Sequence, residues 1–297
     1  MEFIKAKNIL FKVNYGNSWY GVDYNMNLYK GCSHGCIYCD SRSSCYGIEN
    51  FDIVRSKENA LEILENELRH KRKKGIVGIG SMSDTYNPLE EKYEITKGAL
   101  ELIAQYGFGV AIDTKSHLIL RDLPLLQKIK RHNDVIVKFT VTTPHDSLAK
   151  IIEPHVCPTS QRLAAIKTLN ENNIFAGIML NPVLPFITDS PSDIKKLVWL
   201  AHQSQAKFIH TYMGMTLRAN QRDHYYKMLD KHFPGLKAKY IAAYDDNYSC
   251  AVPNYQSLYK IFAEECTKYG ILYEMPQIIQ GYQTHNGCQQ LSLFNLE

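Results

Sequence analysis

The feature that most constrains this chain is a serial alternation in which short β-branched runs are separated, repeatedly, by amphipathic stretches. Residues 76–80, 109–114, 135–142, 174–180 and 207–213 read as strands, and an earlier strand leads into Cys32. Between them, apolar residues recur at helical spacing over 57–73, 92–106, 123–131, 160–172 and 191–205. Ser56 and Ser190 are placed as helix caps, because acidic residues follow each of them early in the helix. Parallel strands cannot be joined by tight hairpins and need a crossover. Six strand–helix units in series therefore predict an α/β fold, a parallel sheet with helices outside it. At 297 residues and 45% hydrophobic content, the chain is large enough to do this around one main core.

Composition narrows the setting. No repeat, low-complexity tract or apolar run of membrane-spanning length interrupts the pattern, and the first residues lack the continuous apolar stretch of a signal peptide. A cytoplasmic protein is expected, in which the eight cysteines serve as ligands, reactive thiols or core fillers. A formal net charge of +4 permits a polyanionic partner without demanding one.

Three of those cysteines, Cys32, Cys36 and Cys39, stand in a C-x3-C-x2-C run. Thiolates are soft ligands for zinc or for iron and sulfur, and a four-iron cluster ordinarily takes four, one per iron. Three thiolates leave one iron open. A zinc knuckle completed by Cys45 or His34 is the alternative, but zinc sites usually pair two cysteine hooks and no second hook exists here.

In parallel α/β folds the reactive site lies at the carboxyl ends of the strands. Here those ends carry the cysteine loop, then Ser81, Ser83 and Asp84, then Lys115, then Thr140 and Thr142, then Asn181. Five successive ends thus present hydrogen-bonding groups to one mouth.

The cysteine spacing, with the aromatic Tyr38 just before the last thiol, resembles the signature of the radical S-adenosylmethionine (SAM) superfamily. Within it the chain is most similar to the spore photoproduct lyase-like group. That likeness rests on residues 25–39 (Asn-Met-Asn-Leu-Tyr-Lys-Gly-Cys-Ser-His-Gly-Cys-Ile-Tyr-Cys), 83–90 (Ser-Asp-Thr-Tyr-Asn-Pro-Leu-Glu) and 114–116 (Thr-Lys-Ser). Glu153-Pro154 and Arg162-Leu163 complete it, and together these segments span about residues 20 to 215. The resemblance implies an open partial (βα)6 barrel with a short C-terminal extension. It also implies a [4Fe-4S] cluster on Cys32, Cys36 and Cys39, SAM on the open iron, and an external electron donor such as flavodoxin or ferredoxin. By the same likeness Tyr38 packs near the adenine, Ser83 and Asp84 receive the SAM amino group, and Lys115 the carboxylate. Thr140 or Thr142 reaches the ribose or carboxylate. Glu153 and Arg162 are read either as a surface ion pair or as a buttress of the SAM site.

One departure matters. The lyase returns a hydrogen atom from a cysteine at the end of strand two, where this chain has Ser81, Met82 and Ser83. A hydroxyl O–H bond is too strong to replace a thiol in that step. Cys45 and Cys157 are the substitute donors, and Tyr86 is a candidate relay.

The chain divides into an extension (1–24), a core (25–215), a helical region (216–275) and a tail (276–297) in which periodicity dissolves. In that tail Gln290, Leu291, Ser292, Leu293 and Phe294 resemble the motif with which bacterial polymerases and repair proteins dock on the sliding clamp. Packing of the same residues on the barrel is the alternative. A basic run at 69–74 suits the last turn of a helix, and Tyr225 and Tyr226 beside Arg222 and Lys227 could hold a nucleic-acid strand or form an ordinary helix. The sequence thus points to a radical SAM enzyme acting on DNA, with RNA, a peptide or a small molecule as other substrate classes. A noncatalytic metal- or nucleic-acid-binding module is the third reading.

Overall fold

A computed structural model describes residues 2–13 and 19–284. The clamp-like pentapeptide Gln290 to Phe294 lies outside the described residues, as do His285 and Cys288.

In chain order the strands are β1 (Glu2–Ile4), β2 (Leu10–Lys12), β3 (Tyr24–Met26), β4 (Tyr29–Lys30) and β5 (Arg55–Lys57), followed by β6 (Ile76–Ile79), β7 (Gly109–Thr114), β8 (Val135–Thr140), β9 (Phe175–Leu180), β10 (Ile209–Thr211), β11 (Gly214–Thr216) and β12 (Ser249–Ala251). The helices are α1 (Ala60–His70), α2 (Glu90–Tyr93), α3 (Ile95–Gln105), α4 (Leu123–Lys130), α5 (Asp146–Ile152) and α6 (Thr159–Glu171), then α7 (Pro191–Gln203), α8 (Gln221–His232), α9 (Leu236–Tyr244), α10 (Tyr255–Tyr269) and α11 (Met275–Tyr282).

The principal sheet runs β10-β9-β8-β7-β6-β3-β2. Six of its strands are parallel, and only β2 pairs antiparallel, on the outer edge of β3. Sequential strands are therefore neighbours, joined by crossovers as the alternation requires. The order is linear from β10 to β2, an open sheet of the (βα)6 type. Two small sheets, β1-β5-β4 and β11-β12, flank it.

Period-two alternation sends the strand side chains to two different environments. Val110, Ile112, Val135, Val137, Phe139, Ile178 and Leu180 join one large core with residues of α1, α3, α4, α6, α7 and α10. Ala111, Ile136 and Phe208 face the other way and meet Tyr20, Ile278 and Tyr282. This second cluster is built on the early parts of the strands. Farther along the same face the residues are polar, with Asp113 opposite Lys138 and Thr140 opposite Met179.

Several local expectations are corrected. Ser56 does not cap a helix; it lies in β5, and α1 begins after Asn59 in a left-handed conformation. The stretch 92–106 breaks at Glu94 (φ 48°), which separates α2 from α3. The last strand is shorter than 207–213, because the chain turns after Tyr212 into β11. Ser190 does cap α7, its hydroxyl accepting from Asp193 N at 3.1 Å. The tail, expected to be irregular, starts with α11: Ile278 and Tyr282, one helical turn apart, are both buried against the second cluster. Among the described residues, no helix is long and apolar enough to cross a membrane.

Candidate active site

The cysteine loop is fixed by close backbone contacts. Gly31 has φ +82°, and a Cβ there would lie 2.3 Å from the Ile53 carbonyl oxygen, so only glycine fits. Cys32 N donates to Phe51 O at 2.8 Å, Ile37 N to Ile152 O at 2.9 Å and His155 N to His34 O at 3.2 Å. The loop is thereby stitched to the end of α5, across the sheet's carboxyl edge.

Cys32, Cys36 and Cys39 open onto one cavity of about 100 Å³, together with Ser83, Asp84, Lys115 and Thr140. An adjoining cavity of about 310 Å³ shares Cys39, Asp113, Lys115 and Thr140 and continues over Tyr38, Met179, Asn181 and Tyr212. Its far end is bounded by Met215 and Thr216. Gly80 lines both; its φ is +102°, and a Cβ would sit 2.3 Å from the Asp113 carbonyl oxygen.

Asp84 organises the edge between β6 and β7. Its Oδ1 accepts from Tyr86 N at 2.9 Å and from the Thr114 hydroxyl at 2.7 Å; its Oδ2 accepts from Lys115 N at 2.7 Å and lies 3.5 Å from His34 Nδ1. The Ser83 hydroxyl donates to Gly31 O at 2.6 Å. Both side chains are thus engaged within the protein, holding the cysteine loop against the strand ends.

Lys115 is differently placed. Its ammonium lies 6.0 Å from the centre of the Tyr38 ring, on the wall of both cavities. Burial alone would lower its pKa, but the fields of Cys36, Glu153, Asp84 and Cys39 outweigh burial and the net shift is upward, so it stays charged. The thiols diverge: burial drives Cys36 and Cys39 up, with Lys115 opposing, whereas at Cys32 burial is overcome by the sum of the His34 hydrogen bond, the His34 charge and the Asp84 backbone N–H, and the net shift is down.

Behind this wall Glu153 and Arg162 form a buried pair at 2.5 Å. The Tyr38 hydroxyl donates to Glu153, Thr142 Oγ1 lies 3.4 Å from the same oxygen, and Arg162 also donates to Thr140 O and Cys157 O, each at 2.9 Å. Of the two readings of this pair, the surface one fails, because neither side chain reaches solvent. Thr142 is buried on the pair, and of the two threonines only Thr140 lines the cavities.

The donor candidates lie elsewhere. Cys45 is exposed in a separate groove with Arg218 Nη1 3.0 Å from its sulfur, and the Ser43 hydrogen bond and Arg218 lower its pKa. The Cys157 thiol donates to Lys115 O at 3.0 Å from outside both cavities, and Tyr86 is buried in the helix-side core. Tyr225 packs inside a buried cluster with Tyr240, their hydroxyls 2.9 Å apart, so it offers no face to a strand of nucleic acid. The sequence reading passed over Lys138, although a lysine inside an otherwise apolar strand run was the visible signal.

The donor set fits an iron–sulfur group: three thiols and a lysine ammonium line one cavity, the ammonium near enough to offset thiolate charge, and a second cavity adjoins it. Among the described residues no three His, Cys, Asp or Glu side chains are drawn around a single ion; ligands of a four-iron cube take one iron each and stand farther apart. A family model described as the Radical SAM superfamily matches residues 26–198, which begins at β3 and ends within α7. The chain belongs to the radical SAM superfamily. It is accordingly an enzyme of the radical SAM class, and the family implies SAM and a [4Fe-4S] cluster.

An uncharacterized protein in Mycobacterium tuberculosis is 29% identical over 228 residues, covering 74% of this chain and 67% of its own length. One in Methanocaldococcus jannaschii is 34% identical over 173 residues, covering 57% and 63%. The radical SAM Nalpha-GlyT isomerase of Pseudomonas phage M6 is 23% identical over 166 residues, covering 56% of this chain and 34% of the isomerase. Among solved structures, spore photoproduct lyase complexed with dinucleoside spore photoproduct superposes with a TM-score of 0.65 at 12% identity, covering 91% of this chain and 81% of the lyase. The radical SAM methyltransferase TsrM from Kitasatospora setae gives a TM-score of 0.56 at 10% identity, covering 81% and 51%. The fold is that of spore photoproduct lyase.

Proposed function

We propose that this enzyme abstracts hydrogen from a DNA substrate, a damaged base foremost, with Cys32, Cys36 and Cys39 holding the cluster. The observation that carries the reading is the convergence of the three thiols, Lys115 and Thr140 on one cavity at the strand ends. When bound, the cluster and SAM supply a 5′-deoxyadenosyl radical. The protein's own residues position and enclose. Lys115 offers a charged donor for a carboxylate, Thr140 a hydroxyl, and Tyr38 a ring face held by Glu153. Ser83 and Asp84 act through the backbone, keeping the cysteine loop and the Lys115 strand end in register.

The DNA assignment draws on the lyase-like fold and on the likeness of Gln290 to Phe294 to a sliding-clamp docking motif. The test is anaerobic turnover with deuterium-labelled DNA lesions, following label into 5′-deoxyadenosine. Transfer of deuterium supports the reading; 5′-deoxyadenosine formed without label from every DNA tested sinks it.

A second reading of how the reaction ends is favoured by the positions of Cys45 and Cys157. Among the described residues no thiol lines either cavity beyond the three of the loop, and a rearrangement would need no hydrogen-atom donor from the protein. An isomerase is already among the relatives of this chain. SAM would then be regenerated, so 5′-deoxyadenosine would stay substoichiometric to product; a stoichiometric yield excludes this ending.

A further inference from the structure

The three cysteines of the loop are held by three different parts of the chain, and the last hold comes from farthest away. Cys32 is pinned by the Phe51 carbonyl, and the backbone beside Cys36 by the Ile152 carbonyl. Cys39 is less buried than either, and its own N–H reaches Cys36 O, inside the loop, at 3.3 Å. What fixes it lies on both sides of it in sequence. The Tyr38 carbonyl accepts from Gln221 Nε2 at 2.9 Å; the Asp40 carboxylate accepts from the Thr216 hydroxyl at 2.7 Å and lies 3.2 Å from Arg218 Nε. All three partners belong to one segment, 216–221, which leads from the end of β11 to the start of α8.

Gln221 is the centre of that hold. It is 1% exposed and is the first residue of α8. Its amide works in two directions: Nε2 donates to Tyr38 O, and Oε1 accepts from Arg218 N at 3.0 Å. An apolar side chain of the same length could make neither bond. The turn that delivers it puts Asn220 at φ 66°, a left-handed conformation that asparagine adopts more readily than most residues. The same stretch of chain bounds the far end of the larger cavity through Met215 and Thr216, while Tyr38 and Asp40 line that cavity beside Cys39. Behind the loop, Cys36, Ile37 and Tyr38 share one apolar cluster with Met215, Leu217 and Tyr225. The family-model match stops at residue 198, so the hold on the last cysteine is supplied from outside the matched core.

We infer that Gln221 and Thr216 are positioning residues for Cys39. Gln221 acts through the Tyr38 carbonyl and sets both the backbone of the third ligand and the Tyr38 ring on the cavity wall; Thr216 acts through Asp40 and adds a second, weaker hold. Gln221 itself lines neither cavity. A glutamine that fixed only the start of α8 would affect stability alone. One that fixes Cys39 also sets the surroundings of the bound cluster and the fit of SAM beside Tyr38, because groups that orient a ligand tune the metal it holds. The inference rests on the radical SAM class of the chain and not on the DNA reading, and its test uses no substrate.

The full chain and its variants are reconstituted anaerobically with iron and sulfide. Three quantities are read: melting temperature, the electron paramagnetic resonance spectrum of the reduced cluster, and SAM affinity by equilibrium dialysis. Gln221→Met keeps the side chain's length and removes both hydrogen bonds. It should keep the iron content of the parent, shift the spectrum and weaken SAM binding about fivefold, the worth of one neutral hydrogen bond. Thr216→Val should move both readouts the same way by less, and Thr216→Ser, which restores the hydroxyl, should stay with the parent. Leu258→Ala, in the main core within α10, controls for lost stability: it should melt lower with spectrum and SAM affinity unchanged. A Gln221→Met protein that melts lower but keeps the parent's spectrum and affinity makes Gln221 a helix anchor and overturns the inference. So does Leu258→Ala if it reproduces the same changes, since they would then follow from general loosening. If Gln221→Met does not fold, the Thr216 pair decides: a change in the valine variant that serine lacks supports the inference, and two variants that behave alike overturn it.

Discussion

Two buried ion pairs stand on this sheet, and they differ in how fully they are satisfied. Glu153 and Arg162 are well satisfied: each guanidinium nitrogen and each carboxylate oxygen has a partner, and beyond the pair itself those partners are Tyr38, Thr142 and the backbone at Thr140 and Cys157. Asp113 and Lys138 are paired with each other, but the polar groups around them are not filled. Burying charge costs several kcal/mol per ion unless the surroundings compensate. A saturated pair is therefore a fixture, locking the wall behind the cysteines into one geometry. The second pair, of which Asp113 alone lines the cavity, lacks such a complete set of partners and fixes its surroundings less firmly.

The largest effect should come from breaking the fixture. Glu153→Gln leaves the Arg162 guanidinium buried without its counter-charge and should cost about 3–5 kcal/mol, read by chemical denaturation of the variant against the parent. A result near zero would show that the pair is not saturated after all. The pH dependence of the parent follows from the same residue. Burial raises the Glu153 pKa, but Arg162, Lys115 and the Tyr38 hydrogen bond outweigh burial, and the net shift is below the ordinary 4.5. Its stabilising contribution is therefore complete above about pH 4.5 and is lost as pH falls through the lower folded-state value. Denaturation midpoints measured between neutral pH and that acid range should fall less steeply in Glu153→Gln than in the parent.

Lys115→Met should weaken SAM binding by about tenfold or more, the worth of one charge-assisted hydrogen bond, with the cluster's iron content unchanged. Equilibrium dialysis with labelled SAM and iron analysis check the two halves of that statement. The smallest effect should appear at the other pair. Asp113→Asn/Lys138→Met removes both charges at nearly constant volume and should change stability by less than about 1 kcal/mol, since exchanging a buried pair for neutral groups is often close to neutral. A loss as large as that of Glu153→Gln would erase the distinction between the two pairs.

How much of this was legible beforehand differed by kind of signal. The parallel sheet could be read because β-branched runs and helical periodicity alternate with little ambiguity, and strand Gly109–Thr114 matches its expected bounds. Helix starts were less legible. Ser56 looks like a cap, yet pairing with Glu2–Ile4 and Tyr29–Lys30 draws its segment into a strand, a tertiary effect that local propensity does not contain. Of the site, the cysteines and Lys115 were legible from spacing and strand position. Asp84 was legible as a residue of the site, but not its inward engagement with Tyr86, Thr114 and Lys115. The cysteine candidates misled for a simple reason: distance along the chain from the cluster loop says nothing about distance across the cavity, and Cys45, six residues from Cys39, points into a different groove.

By itself, then, the sequence determined the parallel α/β architecture and the three-thiol loop, because both are written in local pattern and spacing. Only the tertiary structure decided which residues share a cavity. Cys39, Asp113, Thr140 and Tyr212 come from four separate segments, and nothing in local pattern relates them; it is sheet register that brings them onto one cavity.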